Sequence, residues 1–126
     1  MSPASNLCKS YRLARNLSQR DAAKLLGYEQ SFICAFERGK RGVPTGNFKN
    51  VLVSKFALSE EERNQFENAL KRSSNKIVLP FTLDEDKFYL AHEFAEHLES
   101  LNSKQMELIR LAINIKAKPN EAKTGE

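Results

Sequence analysis

His92 and His97, the only two histidines in the chain, flank Glu93 and Glu96, and these four residues most invite a metal or hydrolytic role. Histidines four apart on a helix can face one ion, but these are five apart. A five-residue step leaves the two rings about 140° out of alignment, so they diverge. The expected contacts are instead exposed pairs one turn apart, His92 with Glu96 and Glu93 with His97. Cys8 and Cys34 are too few to complete a four-coordinate zinc site. The segment Met1 to Ser10 lacks an apolar export signal, so both thiols are expected to be free. No nucleophile-and-base constellation stands out. No catalytic residue, metal or cofactor is expected.

Charge is more informative. The net charge of +4 is unevenly placed: residues 1–58 hold 10 Lys/Arg against 3 Asp/Glu, and residues 59–126 hold 10 against 13. A concentrated basic segment attracts a polyanion through release of its counterions, whereas an acidic remainder suits protein contacts or solvation. The 126 residues allow one real core plus an appendage. With 40% hydrophobic and 29% charged residues, the composition is that of an ordinary globular chain. No apolar run approaches the roughly 18 to 20 residues of a membrane span, so no membrane association and a cytoplasmic location are expected.

The elements that would carry the basic segment are helical. Leu7, Tyr11 and Ala14 give a first helix over about Asn6 to Arg15, with Asn16 as terminator. Ser18 is a good N-cap for a second, whose buried face is Ala22, Leu25 and Leu26 and whose stop is Gly27. A third runs from about Gln30 to Arg38, with Ile33 and Phe36 inward and Gln30, Ser31, Cys34 and Ala35 on other faces. After a turn containing Pro44, Phe48, Val51, Leu52 and Phe56 mark a fourth. Ser59 with Glu60, Glu61 and Glu62 opens a fifth, its carboxylates matching the helix dipole.

The segment LSQRDAAKLLGYEQSFICAFERGKR, residues 17–41, resembles the Cro/repressor class of helix-turn-helix proteins, the XRE family. The resemblance is carried by Ser18-Gln19, Ala23, Gly27, Ile33 and the ending Phe36-Glu37-Arg38-Gly39-Lys40, and it spans about residues 5 to 72. It implies a double-stranded DNA partner and a third helix whose first turn enters the major groove, where base edges are fully distinguishable. Arg12 falls where the family carries an arginine paired with the glutamate matched by Glu37. Gln19 would touch a phosphate and brace Gln30, which would read a base, most naturally adenine; Ser31 is a second reader. Cys34 and Ala35 stand where longer polar readers are common and offer only small contacts. Lys40, Arg41, Asn47 and Lys49 are the candidates for contacts to the DNA backbone. Glu29 leaves two roles open, helping the helix dipole or accepting from a cytosine amine. Phe32 leaves three: an apolar wedge, a core residue, or a contact to the C-terminal part.

Beyond Ser73 the helical period is lost, and Lys76 to Phe81 reads as an extended connector or a short strand. Thr82 and Glu85 fit a capping box for a sixth helix bearing Phe88, Phe94 and Leu98; a seventh, from near Ser103, carries Met106, Ile109 and Ile113. The expected fold is therefore all-α. A five-helix Cro/repressor-like domain over residues 1–72 precedes a connector (73–81), a C-terminal two-helix hairpin (82–118) and a disordered tail (119–126). The two apolar stripes suggest homodimerisation through Phe88, Phe94, Leu98, Met106, Ile109 and Ile113; packing on the chain's own first domain is the alternative. The expected function is a homodimeric repressor of a palindromic operator. The competing expectation is an interaction module, such as an antitoxin whose C-terminal half binds a partner protein.

Overall fold

A computed structural model describes residues 1–44 and 46–116, so the tail expected over 119–126 lies outside the described residues. Among the described residues the chain is all-α, with seven α-helices, one 3-10 turn and no strand. Two compact units divide between Ile77 and Val78.

The first unit holds α1 (Pro3–Ala14), α2 (Gln19–Leu26), α3 (Gln30–Glu37), α4 (Phe48–Lys55) and α5 (Glu60–Lys71). Helix α1 begins three residues before the expected Asn6 because Ser2 and Ser5 form a capping box and Pro3 occupies the first helical position. Asn16 ends it in a left-handed conformation, φ 55°. Helix α2 is capped by the Ser18 hydroxyl, which accepts the Asp21 N–H at 3.0 Å. Gly27, at φ 79°, makes the turn into α3 in a backbone region where a Cβ is costly. Ser59 and Glu62 cap α5 reciprocally.

The helices meet over one core: Cys8 and Tyr11 from α1, Ala22 and Leu26 from α2, Ile33 and Phe36 from α3, Phe48 and Leu52 from α4, Phe66 and Ala69 from α5. Two contacts fasten the chain ends of this unit. The Tyr11 hydroxyl donates to the Glu62 carbonyl, and the Ala4 N–H donates to Ser73 Oγ at 2.9 Å. Residues 74–80 form neither helix nor strand, and Ile77 remains 86% exposed.

The second unit carries α6 (Glu85–His97), a 3-10 turn (Leu98–Ser100) and α7 (Ser103–Ile113). The Thr82–Glu85 box expected for α6 is not what caps it. Asp84 is the N-cap, accepting the Lys87 N–H at 3.2 Å, and Glu85 is the first helical residue. Both Thr82 and Asp84 can cap, and the ionised side chain at Asp84 interacts better with the helix dipole. Leu98 falls in the 3-10 turn rather than on α6, and Asn102 with Gln105 caps α7. No residue of α6, the turn or α7 is buried.

Candidate nucleic-acid interface

Helix α3 is anchored from within. Ile33 and Phe36 are sealed in the core, and so is the charged Glu37, only 3% exposed. Its carboxylate receives Arg12 Nε at 2.7 Å on Oε2 and Arg12 Nη2 at 2.9 Å on Oε1, a two-point contact from α1. Arg12 Nη1 donates in turn to the Leu17 carbonyl at 2.8 Å. The bond to Glu37, opposed by burial, holds the Arg12 guanidinium above its ordinary pKa. A buried charge requires such partners, because desolvation is repaid only by close opposite charge and hydrogen bonds.

Gln19, the first residue of α2, completes this arrangement and corrects an expectation. Its Nε2 donates to Glu37 Oε1 at 3.1 Å instead of bracing Gln30. A buried carboxylate with an unused lone pair is a stronger acceptor than an exposed amide. Arg12, Gln19 and Glu37 thus tie α1, α2 and α3 together.

With its inner face fixed, α3 presents Gln30 and Ser31 exposed on its first turn, while Cys34 and Ala35 are half-buried further along. Glu29 precedes them as an exposed N-cap whose side chain makes no cap hydrogen bond.

Residues 8–66 match a family model described as a helix-turn-helix domain. This part of the chain is a helix-turn-helix domain. The match is consistent with the Cro/repressor type and suggests a DNA-binding regulator. No curated protein and no solved structure matches the chain.

Around α3 of the helix-turn-helix domain, the other candidates are placed unequally. Lys40 and Arg41 are exposed in the loop that follows α3, where the Lys40 N–H caps the helix through the Ala35 carbonyl at 2.9 Å. Arg41 lies over the Phe32 ring, 4.8 Å from its centroid. Asn47 is exposed at the start of α4 and its Oδ1 accepts from Asn50 Nδ2. Lys49 pairs with Glu67 of α5 at 3.1 Å, a bridge that competes with any phosphate contact and holds Glu67 below the usual carboxylate range.

Phe32 is half-buried against the core, stacked with Tyr28 and Phe36 and edge-on to Phe48. Sequence reasoning passed over Arg15. It donates to the Phe56 carbonyl at 2.7 Å, faces the rings of Tyr11 and Phe56, and pairs with Glu62 at 3.5 Å. Its signal was a cation one residue past the end of α1, which reads equally well as a solvated charge.

In the second unit, His97 Nδ1 meets the Glu93 carbonyl oxygen at 2.9 Å, not the Glu93 carboxylate, and no ion pair joins His92 to Glu96. Carbonyls in the last turn of a helix are ready acceptors for a nearby histidine, which explains the change of partner. Among the described residues, no group of three His, Cys, Asp or Glu could hold a metal ion. No helix of the described residues is long and apolar enough to cross a membrane.

Proposed function

We propose that the protein is a sequence-specific double-stranded DNA-binding transcription regulator, acting in the cytoplasm as a homodimeric repressor of a palindromic operator. One observation carries this reading: Gln30 and Ser31 stand exposed on the first turn of α3 while the opposite face of that helix is locked by Ile33, Phe36 and Glu37. A rigid helix with free polar side chains at its N-terminal end suits the major groove.

In this reading Gln30 reads an adenine through its N6 and N7 edge, and Ser31 contacts the neighbouring base. Cys34 and Ala35 offer small surfaces to a thymine methyl. Gln19, with its amide nitrogen engaged by Glu37, has a backbone N–H at the start of α2 to offer a phosphate. Lys40, Arg41 and Asn47 set register on the backbone without reading sequence. Lys49 joins them only by leaving Glu67.

Residues 1–72 form the DNA-binding part, 73–81 connect, and 82–118 dimerise. The support is the complete lack of buried residues in α6 and α7, with Phe94, Leu98, Met106 and Ile113 between 38% and 73% exposed. Apolar surface on this scale gains by being covered. Two copies would set their reading helices about 34 Å apart, one duplex turn. The same surface favours a second reading, an antitoxin-like module whose C-terminal half binds a partner protein. No enzymatic step belongs to either.

A gel shift on the DNA upstream of the chain's own gene, repeated across salt with competitor present, tests the regulator. A specific shift with steep salt dependence supports it; equal binding to competitor sinks it. Sedimentation of the wild type and of Phe94→Asp then separates homodimer from monomer, the wild type being expected to sediment as a dimer and the variant to dissociate.

A further inference from the structure

Of the two aromatic residues on α3, Phe36 is sealed and Phe32 is half-buried. The Phe32 ring is held by other rings: 5.0 Å from Tyr28 with planes 25° apart, 6.1 Å from Phe36 at 11°, and 6.4 Å from Phe48 edge-on. Arg41 lies over this ring, its guanidinium carbon 4.8 Å from the centroid. Among the described residues no carboxylate pairs with Arg41.

A guanidinium attracted to a ring uses its flat face, which leaves the N–H groups around its rim free for acceptors. Arg41 sits in the loop Gly39-Lys40-Arg41-Gly42, where an exposed long side chain otherwise samples many rotamers and must be ordered on binding. A ring immobilised by the core supplies that order in advance.

We propose that Phe32 is a positioning residue that holds Arg41 ready to grip one DNA phosphate beside the end of α3. The proposal rests on the DNA-binding reading above. Phe32 therefore acts through Arg41 and reads no base itself.

Two measurements on the full chain test it. Without DNA, the Phe32 ring current is expected to move the Arg41 δ-proton signals upfield in the NMR spectrum, and Phe32→Leu to return them; unshifted wild-type signals would overturn the proposal. With a labelled duplex enriched by the wild type from a random-sequence pool, Arg41→Ala is expected to flatten the salt slope by about one unit. Phe32→Leu should weaken binding about two- to fivefold, the size of an exposed cation–π contribution. Phe32→Tyr should bind as the wild type does, and Phe32→Leu added to Arg41→Ala should weaken binding no further.

Losses that multiply in the double variant would overturn the positioning role, because a ring acting only through the fold weakens binding whether or not Arg41 is present. Should Phe32→Leu fail to fold, Arg41→Lys decides: it keeps the charge but not the planar fork, and is expected to lose most of what Arg41→Ala loses. A lysine that binds equally well removes the proposal. Failure of the wild type to enrich any duplex sinks the DNA-binding reading and this proposal with it. DNA binding with independent losses sinks this proposal alone.

Discussion

The guanidinium of Arg12 and the carboxylate of Glu37 meet at two points, 2.7 and 2.9 Å, across 25 residues of chain, with their side chains only 9% and 2% exposed. The contact orients α3 more than it stabilises the fold, since a buried pair gains little over apolar residues of similar volume. Removing one partner is a different matter. Arg12→Ala is expected to destabilise by about 3 to 5 kcal/mol by stranding the Glu37 charge. The double variant Arg12→Met with Glu37→Leu should recover much of that loss. Urea unfolding of the three proteins measures it, and a double variant no more stable than Arg12→Ala would contradict the stranded-charge account.

Gln30 is assigned a single base position. Gln30→Ala is expected to cost about 1 to 3 kcal/mol on the preferred operator and to relax selectivity at one base pair. Titrations against a panel of single-site operator variants decide this; an equal loss on every duplex would make Gln30 a backbone or folding residue.

The two thiols should react very differently. Burial, reinforced by the nearby Glu37 charge, pushes the Cys8 thiol up to about 12, so it is protonated and shielded at neutral pH. Cys34 is half-buried on the helix expected to face DNA. A thiol reagent at pH 8 is therefore expected to modify Cys34 quickly and Cys8 only after unfolding, and bound DNA should slow the first reaction. Simultaneous loss of both thiols in the native state would show that the α1 packing is looser than described.

Acid should loosen the junction between α1 and α5. Glu62 is held below the usual carboxylate value of 4.5, chiefly by the backbone N–H of Ser59, then by Arg15. A carboxylate lowered in the folded state contributes stability that is fully present above its unfolded pKa and lost as pH falls through the folded one. Stability is thus expected to drop as pH falls below about 4.5, and Glu62→Gln should flatten that part of the profile. Denaturation midpoints measured across acid pH provide the check; parallel profiles for the two proteins would rule Glu62 out as a contributor.

Several features were legible because they are local. Ser18, Gly27 and the acidic run after Ser59 mark helix ends through bonds and dihedrals that involve only neighbouring residues, and the structure has caps at all three. Local signals fail where two residues compete for one role, as when Asp84 rather than Thr82 caps α6. They fail also where a partner lies far along the chain. Nothing near Gln19 reveals that its amide turns to Glu37, and nothing near Lys49 reveals Glu67.

By itself, the amino-acid order determined the helix sequence and the inward residues of α3 and α4, since periodicity and capping act within a few residues, but it misplaced Leu25, which was expected on the buried face of α2 and is 39% exposed where Ala23 is buried instead. Only the tertiary structure decided which charges are consumed internally. Arg15 and Lys49 bond to other helices, whereas Arg41 rests on Phe32 with its rim free of carboxylates among the described residues. The physical reason is distance: a charge is satisfied by what lies within about 4 Å of it in space, and folding, not sequence proximity, sets those neighbours.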